Sequence, residues 1–576
     1  MKTMIIIKTK AFMPICLLTL LLFQVSCSDF LEVEPQNEIT LENFWNEKSD
    51  VDNIVTGCYS ALQSKNVISR MMVWGESRSE NLVEGQNIER DVNLQKVLKE
   101  NIDASNIYTT WNDFYTIINR CNIVMKYAPG VAQKDLAYTD GDLRATIAEV
   151  TALRSLCFFY LIRTFRDVPY STTAFTDDDQ VMDLPATPFE AVLDSCIASL
   201  EAVQGDAMRH YPTTKPLYQT GRITQAAIHA MLADMYLWKK DYANCVKYCD
   251  LVIDAKRQDA LSNGLQSNEK LFNGFPLYTS YNSDGSFGNA YNKIFVEGNS
   301  AESIFEITFT GDENMPSNLS TNDFYGVGTA YPGLVFPSDF IALDVRDAMF
   351  NVFRNSLDGR SYESLRPLTG GTMYGINKYV NASNARFLVN GTAVSGDWGG
   401  IYASVAQNKS NWIIYRLTDI ILMKAEALTQ MMGDGENITD ADRQLAQQAF
   451  TLVNAVNKRS IYQQNPTDTL RFADYSTKNV LTDLVYDERE RELMFEGKRW
   501  YDLVRRSQRE GNTNYLLQKV VLKGSGNSSV VQSTLARMNA IYWPYNIEEL
   551  KVNHNLTQNP AFGGGASSDY EKTAGQ

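Results

Sequence analysis

Histidine is scarce in this chain of 576 residues. His210, His229 and His554 are scattered, and none stands in an HExxH or CxxC arrangement. That argues against a transition-metal site, which draws on His and Cys ligands. Basic residues are in deficit too, with 53 Lys and Arg against 68 Asp and Glu and a net charge of −15. Phosphate binding needs the opposite balance, so nucleic acid is disfavoured as a partner. Charge-driven binding to anionic lipid heads is disfavoured for the same reason. Neutral sugars carry no charge to repel. No long Pro/Gly/Ser linker or low-complexity tract divides the chain, so one large elaborated domain fits better than several. No EF-hand loop, nucleophile elbow or hydrolase motif is found. What is abundant is apolar and aromatic: 44% and 11% of residues, including 30 Tyr and 8 Trp. That suffices for a large core and leaves rings to line a binding surface.

The N-terminus reads as an export signal. Lys2, Lys8 and Lys10 precede an apolar run from Ala11 to Val25. The run is shorter than the roughly 20 residues of a membrane span. It ends at Gln24-Val25-Ser26-Cys27, which looks like a lipoprotein processing site, with Gln24 standing where an aliphatic residue is favoured. An ordinary signal cut near Ser26, leaving Cys27 as a thiol, is the alternative. Residues 1–26 hold three lysines and no acids, so their removal changes −15 to −18. One acyl chain on Cys27 would bind a membrane marginally, and two or more would hold firmly. Besides Cys16 and Cys27 there are Cys58, Cys121, Cys157, Cys196, Cys245 and Cys249. Their apolar helical contexts predict buried free thiols, and Cys245 and Cys249, one turn apart, are poorly placed for a disulfide.

Helical patterns dominate much of the chain. Trp111–Tyr127, Ile147–Phe165 and Phe189–Val203 each predict a helix, the second stopped by Pro169. Thr224–Ala255 and Tyr415–Ser460 each predict a helical hairpin resembling a tetratricopeptide unit. Asp487–Arg506, DERERELMFEGKRWYDLVRR, reads as a single helix with Leu493, Trp500 and Val504 on one stripe. Its opposite charges at three or four spacings pair Arg489 with Glu492, Glu496 with Arg499 and Lys498 with Asp502. On charge pattern alone it is a solvated face, worth only tenths of a kcal/mol per pair. Between 263 and 411 the helical period is lost among Gly, Asn, Ser, Asp and Tyr, apart from a strand-like run at Ala301–Phe309. Loops this long in a compact chain are usually functional.

The order of residues in the charged segment adds more. Glu488-Arg489, Glu492-Leu493, Phe495-Glu496-Gly497 and Arg499-Trp500-Tyr501-Asp502-Leu503 resemble the signature helix of the SusD/RagB family, outer-membrane lipoproteins of Bacteroidetes that capture glycans or other nutrients. Tyr542-Trp543-Pro544 and Asn555-Leu556-Thr557-Gln558-Asn559-Pro560 resemble the family's closing motifs, and Ser28-Asp29-Phe30-Leu31 its mature start. Asp167-Val168-Pro169 resembles its G-D-V-P, with Arg166 in place of glycine. The resemblance covers nearly the whole mature chain and makes the charged segment mainly structural. It implies a mainly α fold: a tetratricopeptide-like helical hairpin scaffold of about four helix pairs, with long irregular loops and a few short strands. On this reading 1–26 is a signal peptide and 27–576 a single domain, with the scaffold at 105–256 and 412–510, an irregular ligand-facing region at about 263–411, and an irregular end at 511–576. It also implies a cell-surface lipoprotein, lipid-anchored at the outer membrane, capping a SusC-like TonB-dependent transporter and holding an oligosaccharide for import.

Sugars need flat apolar faces for their C–H surfaces and planar polar side chains for their hydroxyls. Trp74, Glu76, Arg78 and Asn81 lie in a segment resembling the family's W-G-E-x-R-S-D, near its ligand face. Tyr278, Tyr281 and Asn282 lie in one loop, Asp323 and Tyr325 in another, and Trp398 in a glycine-rich run. For each ring, packing of a loop onto the core is the plainer explanation. Asp177-Asp178-Asp179 or Asn282–Asp284 could ligate a structural calcium ion, though a solvated acidic turn is the plainer explanation; no other cofactor is expected. Two other functions compete with nutrient capture. A glycoside hydrolase would need two carboxylates about 5–10 Å apart across a cleft, with Glu76 or Asp323 as candidates. A protein-only adaptor scaffold would bind no glycan.

Overall fold

The longest helix among the described residues shows how composition becomes architecture. Helix α4 (Asp140–Phe165) is started by a capping box in which Thr139 and Asp142 bond each other's backbone N–H groups. Every residue from Ala148 to Phe165 is buried. A helix apolar all round belongs inside a large protein or in a bilayer. This one is long and apolar enough to span a membrane, but its apolar stretch is 89% buried within the protein, as a core helix is.

The computed structural model describes residues 44–177, 179–262, 271–281, 288–310, 317–327, 331–342, 352–353, 358–368, 374–380, 386–389, 392–395, 408–434, 438–461, 469–524 and 528–563. The protein is mainly α. Besides α4 its helices include α1 (Lys48–Leu62), α2 (Lys65–Met72), α3 (Asn112–Lys134), α5 (Phe189–Val203), α6 (Gln225–Lys239), α7 (Tyr242–Ser262), α8 (Leu417–Gln430), α9 (Asp440–Ser460), α10 (Lys478–Leu493), α11 (Arg499–Glu510) and α12 (Ile547–Val552). Packing runs α1 on α3, α3 on α4, α4 on α5, α5 on α6, α6 on α7, α7 on α8 and α8 on α9, with α10 against α8 and α9. Taken in that order, α1/α3, α4/α5, α6/α7 and α8/α9 are four helix pairs stacked as in tetratricopeptide repeats. Within α6/α7 and α8/α9 the short connections force antiparallel neighbours. Lys240, in the left-handed conformation, ends α6, and Thr224 and Thr439 cap the starts of α6 and α9.

Strands are few and short. Antiparallel β1 (Val168–Pro169) and β2 (Ala186–Thr187) close the loop between them. β3 (Ser303–Ile307), within the predicted Ala301–Phe309 run, pairs antiparallel with β4 (Trp412–Arg416), and both are wholly buried. The described cysteines, Cys58, Cys121, Cys157, Cys196, Cys245 and Cys249, are free and buried. The end of the chain, expected to be irregular, carries short helices at Asn514–Val520, Ser528–Leu535 and α12.

The charged segment departs from expectation. It is two helices. α10 stops at Leu493 and α11 starts at Arg499, because Phe495 and Gly497 both take positive φ, +66° and +69°. Nor is it a solvated face: Glu488, Arg489, Glu490, Arg491, Glu492, Glu496, Arg499, Asp502 and Arg505 are all buried. The break redirects the pairing. Arg489 bonds Asp419 and Asp502, Arg499 bonds Glu80 and Glu490, and Glu496 bonds Arg416 and Lys378. Glu492 meets Arg360, Arg416 and Arg459. In that network Asp358, Glu302, Glu488, Glu492 and Glu496 face Arg360, Lys378, Arg416, Arg459 and Arg491, five acids against five cations. Burial pushes the Glu492 carboxyl up, but Arg459, Arg416 and Arg360 outweigh it and hold the group well below the usual carboxylate range. A balanced network keeps each interior charge compensated, since an unpaired one costs several kcal/mol.

Candidate functional site

The segment expected to face a ligand lies inside the protein. α2 runs into a π-helical turn, Val73–Ser77, which carries Trp74, Gly75 and Glu76 onto the break between α10 and α11. Trp74 is 0% exposed. Its indole N–H donates to the Tyr108 carbonyl at 2.7 Å, and its ring packs on Phe114 and Phe165 with centroids 4.9 and 5.4 Å away. The Glu76 carboxylate accepts N–H bonds from Phe495 (3.0 Å), Gly497 (3.1 Å) and Lys498 (3.3 Å), and one from the Asn81 amide at 2.8 Å. It satisfies the backbone donors where α11 begins, although burial raises its pKa. Arg78 bonds Glu100 through Nε and Nη2, and donates to the carbonyls of Ala540 and Ile541 at 2.8 and 3.0 Å. Its guanidinium lies 4.3 Å from the Trp500 ring and 5.8 Å from that of Trp543. Three segments far apart in sequence thus meet around one side chain.

Trp74, Glu76, Arg78 and Asn81, expected to contact a ligand, are therefore corrected to interior packing residues: all are fully buried with partners within the fold. Tyr325 is corrected likewise, its hydroxyl donating to the Phe495 carbonyl at 2.8 Å. Tyr281 is buried as well. Tyr278 is half-buried, and its backbone N–H donates to Glu302. Asp323 is half-buried and pairs with the exposed Lys65. Cys27, Asn282 and Trp398 lie outside the described residues, as do Asp178 and Asp284 of the acidic turns. Among the described residues no three His, Cys, Asp or Glu side chains are grouped as metal ligands.

The structure offers a groove instead, about 750 Å³, between α3, the loop joining β1 to β2, and the α12 segment. That volume lies within the roughly 300–1,000 Å³ of ligand pockets. α3 contributes Trp111 at its N-cap, Tyr115 and Asn119; the loop contributes Phe175 and Asp183; the α12 segment contributes Glu549 and Asn553. The loop is strapped down from both sides. Asn119 exchanges two hydrogen bonds with the Phe175 backbone, 2.8 and 2.9 Å, and Asn122 donates to the Thr173 carbonyl. Asn553 and Asn555 donate to the carbonyls of Leu184 and Asp183. The Tyr115 hydroxyl donates to the Pro169 carbonyl at 2.7 Å. Burial raises the pKa of Glu549, and a bond from the Trp111 side chain opposes this. The groove is therefore preformed, largely apolar, and rimmed by exposed Met182 (52%) and Val552 (73%). None of its lining residues was singled out from sequence except as helix or motif members. Trp111 opened a predicted helix, and Leu556 sat in the run Asn555–Pro560.

The arrangement defines a repeat-helix scaffold with a lateral groove and buried charge networks. Residues 360–562 match a family model described as "SusD family", and residues 29–237 match one described as "Starch-binding associating with outer membrane". The chain belongs to the SusD/RagB family. It is 26% identical over 498 residues to SusD-like protein P38 of Formosa agariphila, covering 83% of this chain and 88% of that protein. SusD-like protein P2 of the same organism is 23% identical over 514 residues, covering 85% and 90%. Among solved structures, a laminarin-binding SusD-like protein superposes with a TM-score of 0.60 at 18% identity, covering 90% of this chain and all of that one. The surface glycan-binding protein A of Bacteroides thetaiotaomicron, in complex with laminarihexaose, superposes with a TM-score of 0.59 at 17% identity, covering 89% and 100%. At these identities the likenesses to solved structures establish the fold.

Proposed function

We propose that this protein is a non-catalytic glycan-binding lipoprotein, anchored at the outer membrane through Cys27, that caps a SusC-like TonB-dependent transporter and hands it oligosaccharide. The observation that carries this reading is the match of both ends of the chain to SusD family models, one of them described as starch-binding and outer-membrane-associating. Relatives of the same fold bind laminarin and laminarihexaose. The acids considered for hydrolysis support a binder over an enzyme. Glu76 is committed to backbone amides and Asp323 to Lys65. A rigid stack of hairpins suits docking onto a second protein across a large, lasting interface.

Purified protein incubated with a panel of polysaccharides and oligosaccharides tests the central point. Retention without release of shorter products is expected; cleavage would make it an enzyme, and flat titrations throughout would leave the adaptor. Radiolabelled palmitate is expected to enter the wild type and not Cys27→Ala, and a barrel protein is expected to co-purify from outer membranes.

A further inference from the structure

We infer that the groove between α3, the β1–β2 loop and α12 is a binding subsite for a neutral oligosaccharide; this deepens the capture reading above and rests on it. Among the described residues the lining carries no lysine or arginine, and its two carboxyl groups are those of Asp183 and Glu549. Uronate and sulfate groups would meet like charge there with no counter-cation to offset their desolvation. Hydroxyl groups are donors, and a carboxylate is an acceptor with room for about four bonds. Glu549 lines the groove beside Trp111, and Asp183 stands exposed on the loop. In the same lining the half-buried rings of Tyr115 and Phe175 offer apolar surface to the C–H faces of sugar rings.

A peptide fits less well. The carbonyls of Ser171, Thr173, Phe175, Asp183 and Leu184 already accept bonds from asparagine amides. The loop therefore presents little free backbone to an added strand, which binds chiefly through main-chain bonds. There is also no cation to receive a terminal carboxylate. Recognition in this groove runs through carboxylate acceptors and apolar faces, the pairing a neutral sugar satisfies.

The test is isothermal titration of the intact protein with laminarihexaose, maltoheptaose and xylohexaose as neutral probes, oligogalacturonate as the anionic one, and an unstructured peptide as control. Two blocking variants, Thr116→Trp on the α3 wall and Val552→Trp on the α12 wall, alter exposed side chains; thermal unfolding confirms that each is folded. Binding of a neutral probe by the wild type, weakened at least about tenfold in both variants, supports the subsite. Glu549→Gln, which keeps the shape and removes the charge, is expected to weaken the same probe by a smaller factor. Unchanged affinity in both folded variants would overturn the subsite while leaving capture elsewhere on the protein intact. Preference for oligogalacturonate or for the peptide would overturn it as well. If the wild type binds none of the glycans while co-purifying with a transporter, the subsite and the glycan part of the capture reading fall together.

Discussion

The backbones of Gly75 and Gly497 touch: a Cβ placed on Gly75 would lie 1.8 Å from the Gly497 carbonyl oxygen and 2.4 Å from its carbon. This contact lets the π-helical turn reach the break between α10 and α11. Gly497 is further constrained by a φ of +69°, and a Cβ there would meet the Met71 carbonyl at 2.9 Å. Gly75→Ala has no flexible side chain to push aside, so it is expected to cost more than about 3 kcal/mol or to prevent folding. Gly130→Ala, in open space on α3, is the control and should be neutral or stabilising by up to about 1 kcal/mol. Chemical denaturation of both variants checks the contrast.

The same contact delivers Glu76. Its carboxylate is the acceptor for the Phe495, Gly497 and Lys498 N–H groups. Glu76→Ala would leave these buried or half-buried donors without that acceptor, at about 1–3 kcal/mol each. A total loss on the order of 3–5 kcal/mol is expected, with Glu76→Gln intermediate because its amide oxygen still accepts. Glycan affinity of the folded fraction should be unchanged, since Glu76 has no exposed surface. A Glu76→Gln protein of full stability and lost binding would reinstate the segment as a ligand face.

Much of the scaffold was legible because a period of 3.6 survives any context: Phe189–Val203 is a helix with the predicted ends. The break after Leu493 was not legible. Helix-forming charges flank Phe495 and Gly497 on both sides; Gly497 is the one local signal of a break, and nothing marks Phe495 as left-handed. Burial of those charges was hidden for a related reason: Glu492 finds Arg360, Arg416 and Arg459 from other parts of the chain. Trp74, Arg78 and Asn81 misled because a polar side chain beside a ring looks alike whether it meets a sugar or a helix end. The groove was missed because it is assembled from three separate segments, none carrying a motif for it.

Interior acids set the response to pH. Burial raises the Glu426 carboxyl, but Arg505 and Arg509 outweigh it and bring its pKa down to about 2 from the ordinary 4.5. A depressed folded pKa means that the unfolded chain takes up the proton first. The stabilisation is therefore complete above pH 4.5 and is lost as pH falls towards 2. It amounts to roughly 3 kcal/mol. Glu426→Gln removes it, so wild type and variant should differ most at neutral pH and converge between pH 4.5 and 2. Denaturant titrations across that range measure the convergence, and a gap constant with pH would contradict the assignment. Salt should change it little, because this carboxylate is shielded from solvent ions.

Arg78 shows why two cations of equal charge are not equivalent here. Its planar fork satisfies Glu100 and the carbonyls of Ala540 and Ile541 at once, while its face lies over Trp500 and within reach of Trp543. A lysine ammonium keeps the charge but is a compact point with three donors on a flexible stem. It cannot span three acceptors in one plane or fill the layer between two indoles. Arg78→Lys is therefore expected to cost roughly 2–4 kcal/mol, most of it through carbonyls left unbonded. Trp500→Phe, which keeps the fork and removes part of the stacking surface and the indole N–H bond to the Ile541 carbonyl at 3.2 Å, should cost somewhat less. If the guanidinium couples the two, the double variant loses less than the sum of the singles. Strict additivity would mean that the stacking seen between Arg78 and Trp500 contributes nothing to holding the C-terminal segment against the helical core.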